Sequence, residues 1–256
     1  MMNFHKTIVA TLLVIAVVVL LWYFANIHLI SLLLPVVLFL TITAWGSSNI
    51  RSGFFIKAAC DGRLPGKVAL TFDDGPVPGK TDTILNILRQ NGITASFFCI
   101  GSRMKKHPDL VQRIISEGHT IGNHSYTHHP AFDLFPESKL SKELADTNST
   151  AHQITGKKLR LFRPPYGVTT PPLARAITRN NLVTVGWNVR SLDTVIKDDQ
   201  KLIDRVTENI KEGDIVLLHD TSDTTIRSLQ TIIDKIREKG LDFAGVDQCI
   251  GKEAYA

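Results

Sequence analysis

Asp73 and Asp74 stand side by side in Thr71-Phe72-Asp73-Asp74-Gly75-Pro76, and two adjacent carboxylates repel unless positive charge lies between or beside them. A metal ion would relieve that repulsion, although Asp-Asp-Gly-Pro is also ordinary turn chemistry. Further along, His124 and His128 are spaced i, i+4 in Gly122-Asn123-His124-Ser125-Tyr126-Thr127-His128-His129-Pro130. That spacing lets two imidazoles reach one cation where the segment is helical; His119 and His129 offer alternative registers. Two neutral nitrogens and one carboxylate make a three-ligand set with open positions for water. Non-heme iron oxygenases use the same set. A spare carboxylate beside the metal and a distant histidine, His219 in Leu217-Leu218-His219-Asp220, instead suit hydrolysis with one base and one acid.

These residues need a scaffold that collects them. From Lys67 onward, apolar or β-branched runs (Val68–Phe72, Thr94–Ile100, His119–Gly122, Leu159–Phe162, Leu182–Val189, Asp214–Leu218 and Asp242–Val246) alternate with amphipathic stretches such as Thr81–Gln90, Ser102–Glu117 and Thr224–Lys239. Glycine often follows those stretches, as in Asn91-Gly92, Glu117-Gly118 and Lys239-Gly240, where a helix end favours it. The alternation predicts seven strands in a mostly parallel, buried sheet. Such a sheet delivers the C-terminal ends of its strands to one rim, and Asp73, Asp74 and His219 all follow apolar strand residues.

Composition bounds the rest. The chain has 256 residues, 44% hydrophobic and 21% charged, which suits a folded domain rather than a disordered or collagen-like chain. Its net charge of +5 has no clustered basic stripe, so nucleic acid is not an expected partner. Cys60, Cys99 and Cys249 are scattered and odd in number, which indicates neither a disulfide framework nor a cysteine zinc site. Residues 7–45 contain no Asp, Glu, Lys or Arg, and as one helix that block would be almost twice as long as a hydrocarbon core of roughly 30 Å. Two spans are expected, about 7–23 and 27–45, turning near Asn26 and His28, followed by a juxtamembrane linker at 46–66 and a catalytic domain at 67–256. A secretory signal is the rival reading, but Phe24-Ala25-Asn26-Ile27 is a poor cleavage site. Lys6, Arg51, Lys57, Arg63 and Lys67 flank the hairpin and its turn carries no Lys or Arg, so the positive-inside rule favours a cytoplasmic domain. The chemistry argues for the opposite face.

The motifs resemble the polysaccharide deacetylases of carbohydrate esterase family 4, the NodB homology domain, over about residues 66–248. Thr71–Gly75 is similar to the family's first motif, His124–His128 to its second, Arg163-Pro164-Pro165-Tyr166-Gly167 to its third, and Leu217-Leu218-His219 to its fifth. The fourth is altered: Trp187–Thr194 keeps Asp193 but has Thr194 where tryptophan is usual, and Arg190 replaces a frequent acidic residue. The resemblance implies a distorted (β/α)7 TIM-like barrel and a hydrolase that uses zinc or another divalent metal bound by Asp74, His124 and His128. It implies Asp73 as general base, ionised and oriented by Arg163; the Tyr166 N–H as an oxyanion donor; His219 as general acid, held by Asp193; and Leu217 and Trp187 as walls for the acetyl methyl. The implied substrate is an N-acetylated polysaccharide, peptidoglycan or a chitin-like glycan, acted on by an integral cell membrane protein with an extracytoplasmic catalytic domain. The same residues would serve an O-acetyl esterase on a xylan-like glycan, and a catalytically silent glycan-binding module is the alternative of another class. The oligomeric state is not legible.

Overall fold

A computed structural model describes residues 3–25 and 28–256. Two apolar helices lead, α1 (Phe4–Ala25) and α2 (Leu33–Ser48); the stretches Phe4–Ala25 and Ile30–Ser48, the second including the turn before α2, are long and apolar enough to cross a membrane. Their side chains are almost entirely exposed, with none of the central window of α1 buried within the molecule. The expected second span begins later than residue 27. Leu29–Leu32 forms a 3₁₀ turn, and Pro35 falls in the first turn of α2, where a missing N–H costs nothing. Asn26, expected in the turn, lies outside the described residues.

The helices pack on each other as a hairpin, and Phe4 at the start of α1 meets Phe54 and Phe55 beyond the end of α2. Residues 49–66 then run along the domain, burying Ile50, Phe54 and Ile56. Gly46 lets the hairpin end approach closely: a Cβ there would lie 2.3 Å from the Phe54 ring.

The domain alternates β1 (Lys67–Asp73), α3 (Lys80–Gln90), β2 (Ser96–Cys99), α4 (Gly101–Lys106), α5 (Pro108–Ser116), β3 (Thr120–Asn123), α6 (Glu137–Thr155), β4 (Leu161–Phe162) and α7 (Pro171–Arg179). It continues with β5 (Val183–Thr184), β6 (Val189–Arg190), α8 (Asp199–Thr207), β7 (Ile215–His219), α9 (Asp223–Glu238), β8 (Asp242–Phe243) and α10 (Val246–Ile250). All strand pairs are parallel, in the order β5-β4-β3-β2-β1-β7-β6, with β8 beside the start of β1. The sheet curls into an incomplete barrel.

The run Leu182–Val189, expected as one strand, is two. Val183–Thr184 pairs with β4 and Val189–Arg190 with β7, at opposite edges of the sheet. Between them Val185 N–H donates to Phe162 and Asn188 N–H to Ile215, so this segment crosses the gap between the edges. Eight strands result among the described residues where seven were expected.

Period-two alternation sorts each strand's side chains. Val68, Leu70, Phe72, Val216 and Leu218 pack with Ile84, Leu88 and Ile232 of the helices. Ala69, Phe98, Leu161 and Ile215 pack inside the barrel. Asp73, Leu217, His219 and Arg163 continue the inward set, which carries them to the C-terminal rim.

Candidate active site

Asp73 and His219 are register partners at the ends of β1 and β7, which places them on neighbouring strands of one rim. The Asp73 carboxylate is buried, and its Oδ1 accepts from Arg163 Nη1 at 2.7 Å. Arg163 is fully buried. It also donates to Thr71 Oγ1 at 2.7 Å and to the Gly186 carbonyl at 2.8 Å, and it stacks over the Phe98 ring. Burial pulls its pKa down, opposed by the charge and hydrogen bond of Asp73. A guanidinium so fully committed cannot swing away from its carboxylate.

Asp74 sits at φ +78°, turned out of the strand. Its Oδ1 is buried and has no hydrogen-bond partner among the described residues, yet it lies 3.5 Å from His124 Nε2 and 3.3 Å from His128 Nε2. Burial would raise the Asp74 carboxyl, but the closeness of His124, with His128 and His219, holds it well below the usual carboxylate range. His124 Nδ1 is 2.8 Å from the Arg163 carbonyl oxygen. A carbonyl only accepts, so Nδ1 carries the proton and Nε2 presents its lone pair to the Asp74 side. Ligand atoms of Asp74, His124 and His128 lie within 4.8 Å of one another. An orphaned buried carboxylate oxygen facing two imidazole nitrogens fits a divalent metal with coordination positions left open.

A helix does not bring the histidines together. Residues 124–129 form a loop in which Ser125 (φ +62°) and His128 (φ +50°) are left-handed. Glu143 of α6, itself buried, shapes this loop, its carboxylate accepting from the N–H groups of Tyr126 (3.0 Å) and Thr127 (2.8 Å) and from the Thr127 hydroxyl. The alternative registers fall away: His119 begins the opposite end of β3 and accepts from Ala95 N–H, and His129 stacks on Phe135.

On the other side of β1, His219 Nδ1 lies 2.8 Å from Asp193 Oδ1. Burial lowers the His219 pKa, but the hydrogen bond and charge of Asp193, reinforced by Asp73 and Asp74, outweigh it and push the group up to about 9. Asp193 is fully buried and accepts further from Ser191 Oγ (2.9 Å), Thr225 Oγ1 (2.5 Å) and the His219 N–H (2.8 Å). Burial would raise its carboxyl; the His219 hydrogen bond and charge and the Thr225 hydroxyl bring it below the ordinary value.

A cavity of about 250 Å³ opens over these groups. Asp73, Asp74, His124, His128, Tyr166, Trp187, Leu217 and His219 line it, while Arg163 and Asp193 stand behind Asp73 and His219. Tyr166 is left-handed at φ +60°, and its N–H finds no acceptor among the described residues. Ser47 at the end of α2 is tied to the same loop: its carbonyl accepts from Thr169 N–H at 2.9 Å and its hydroxyl donates to the Thr169 carbonyl at 2.7 Å.

Two supporting acids escape sequence reasoning, Glu143 and Asp220. Asp220 is fully buried, and its Oδ2 accepts from Thr81 Oγ1 at 2.6 Å. Burial, with the charges of Asp74 and Asp73, raises its pKa to about 7 despite the Thr81 hydrogen bond and Arg103. It presses on the metal-ligand turn so closely that a Cβ on Gly75 would lie 1.9 Å from Oδ2. Its position directly after His219 is the only available signal; Glu143 has none.

Residues 62–185 match the family profile described as polysaccharide deacetylase, a stretch that holds Asp73 to Tyr166 but stops before Asp193 and His219. A peptidoglycan-N-acetylglucosamine deacetylase of Bacillus cereus is 34% identical over 188 residues, covering 72% of this chain and 87% of that protein. The chain belongs to the polysaccharide deacetylase family. Another family member, a peptidoglycan-N-acetylglucosamine deacetylase of Listeria monocytogenes, is 32% identical over 187 residues, and the match spans 39% of its length and 73% of this chain. Among solved structures, a peptidoglycan N-acetylglucosamine deacetylase in complex with 4-naphthalen-1-yl-N-oxidanyl-benzamide superposes with a TM-score of 0.74 at 29% identity, covering 78% of this chain and 96% of that one. A family pseudoenzyme from Bacillus anthracis also superposes, with a TM-score of 0.69 at 27% identity over 74% of this chain and 67% of its own. The fold therefore does not by itself decide activity. The side chains at the rim must.

Proposed function

We propose that the chain is a membrane-anchored hydrolase that removes N-acetyl groups from a GlcNAc-containing polysaccharide, peptidoglycan or a chitin-like glycan, with zinc held by Asp74, His124 and His128. One observation carries this reading: Asp73 paired with buried Arg163, and His219 paired with buried Asp193, share one cavity with an Asp/His/His donor set. A binding module needs neither a fixed base nor a charged acid. The named deacetylases among the relatives support N-acetyl glycan as the substrate class. The N-oxidanyl amide bound to one of the solved relatives is a hydroxamic acid, a metal-chelating group, which supports a metal centre.

When bound, the metal polarises the acetyl carbonyl and acidifies a water molecule. Asp73 takes a proton from the attacking water, with Arg163 fixing one of its oxygens so that the other is free to do so. As the carbonyl becomes tetrahedral, the Tyr166 N–H donates to the developing oxyanion; a donor of this kind is worth about 3 kcal/mol. His219 gives its proton to the departing amine as the C–N bond breaks, leaving acetate and a free amino sugar. Asp193 keeps that imidazole charged and aimed, and Leu217 and Trp187 enclose the acetyl methyl.

The hairpin would anchor the domain. At about 1.5 Å per residue, the 22 residues of α1 span roughly 33 Å, against a hydrocarbon core of about 30 Å. We assign the domain to the extracytoplasmic face, where a cell-wall glycan would lie.

Full-length protein in detergent, given a GlcNAc oligomer and zinc, should release acetate, and a chelator should stop it. Release that survives chelation removes the metal from the mechanism. Release from acetylated xylan but not from the oligomer makes the protein an ester hydrolase, and glycan binding with no release from either makes it a silent module.

A further inference from the structure

Arg190 is the second residue of β6, in register with Leu217 of the acetyl pocket. It lines the catalytic cavity and also a second, larger cavity of about 640 Å³ beside it. Arg205 Nε donates to the Arg190 carbonyl at 2.8 Å, fixing the backbone. The Arg190 guanidinium itself forms no hydrogen bond or ion pair among the described residues. Arg51, Lys201 and Lys211 also line the second cavity with side-chain charges that have no partner there.

The acids facing them are mostly committed. Asp214 is buried and accepts from Asn188 at 2.6 Å and from Lys211 N–H at 2.9 Å. Asp204 accepts from Gln200 at 2.7 Å and meets Lys235 at 3.3 Å. Glu208 alone keeps a free carboxylate. A lone exposed cation is worth little, but several unpaired cations in one concavity attract an anion at longer range. The guanidinium at its edge matches the two oxygens of a carboxylate or phosphate.

We propose that Arg190 and this basin form an anion subsite adjoining the acetyl cavity, so that the preferred glycan carries a carboxylate or phosphate next to the sugar that is deacetylated. The inference rests on the deacetylase reading and narrows its substrate. A neutral chitin-like polymer would leave these charges without a counterpart. Two chemical sources supply the same group: an acid-substituted sugar within the glycan, or a phosphate at its end.

The test compares three substrates on the full-length enzyme: chitotetraose, chitotetraose with a reducing-end phosphate, and a tetrasaccharide alternating GlcNAc with N-acetylmuramic acid. Wild type should show a KM about tenfold lower for one anionic substrate than for chitotetraose, a preference that shrinks between low and high salt. Which anionic substrate wins identifies the source. Arg190→Gln should raise that KM about tenfold and the chitotetraose KM by several-fold less; Lys201→Gln should shift it in the same direction by less. Equal KM values for all three substrates in wild type, or an Arg190→Gln effect as large on chitotetraose as on the charged substrates, overturns the subsite. If wild type turns over none of the three, the deacetylase reading fails. Calorimetric binding of the charged and neutral tetrasaccharides to wild type and Arg190→Gln then decides the subsite on its own.

Discussion

Replacing Asp193 with asparagine keeps the side chain's volume and removes the charge that holds His219 as an imidazolium. With Asp193 in place, the His219 pKa is pushed from 6.5 up to about 9. That rise of roughly two and a half units corresponds to about 3 kcal/mol between the protonation states. Without the carboxylate, burial opposes only the remaining charges of Asp73 and Asp74, and the group should titrate close to its ordinary value. An acid catalyst works only while protonated, so wild-type turnover should fall as pH rises through about 9, and the Asp193→Asn limb should move down toward pH 6.5. At pH 8 the protonated fraction would drop from about 0.9 to about 0.03, a loss of roughly 30-fold, whereas at pH 6 the two enzymes should agree within about twofold. The stability His219 gains from ionised Asp193 follows the same sign: it is present around pH 6 and is lost as pH rises through about 9, while protonation of Asp193 removes it in acid. Acetate release between pH 5 and 10, with the His219 ring titrated by NMR, measures both. An alkaline limb that stays near 9 in the variant, or a loss as large at pH 6 as at pH 8, would refute the assignment of His219 as an acid charged by Asp193.

Three further outcomes follow from the geometry. Asp73→Asn should keep one equivalent of zinc by calorimetry yet lose 10²–10⁴-fold in kcat, whereas His128→Ala should lose both metal and turnover; an Asp73→Asn enzyme of normal rate removes the base. Glu143→Ala takes away the acceptor for three donors of the histidine loop and should weaken zinc affinity about 10–100-fold, read by chelator competition; unchanged affinity means that the loop holds its shape without it. Gly75→Ala drives a methyl into Asp220 and should cost about 1–3 kcal/mol by thermal unfolding. Combining it with Asp220→Ala should cost less than the sum of the two single changes, and strict additivity would show that the two positions do not touch.

The family relation sharpens what the residues must explain. An enzyme and a pseudoenzyme both superpose on this fold, so the argument for activity rests on paired groups rather than on the barrel. Arg163 and Asp193 matter in that argument because each is fully buried and each pairs with an oppositely charged or titratable group at the rim. Burying such charged side chains is costly unless each is paired, and the partners they meet are Asp73 and His219.

Much of this site was legible because it is written in local spacing. The Asp73-Asp74 pair, the His124/His128 pair and the strand-end His219 named the chemistry, and the alternation of apolar runs with glycine-closed helices named a parallel sheet. Period-two alternation is a property of each strand alone, so which side chains point inward follows from sequence. Which strands become neighbours does not. The run 182–189 has the composition of one strand, yet its halves pair with β4 and β7 at opposite sheet edges, because only distant partners decide where a short strand hydrogen-bonds. The His124/His128 spacing would serve a metal on a helix, but a loop with two left-handed residues, stabilised by Glu143, brings the two rings to Asp74. Glu143 carries no sequence signal of its role, and neither the burial of Asp220 nor the free guanidinium of Arg190 can be read from sequence, since burial and the lack of a partner are facts about neighbours far along the chain. The sequence by itself determined the reactive groups and the strands that bear them; the tertiary structure alone decided which of those groups are paired, which are left free, and what lies beside the cavity they form.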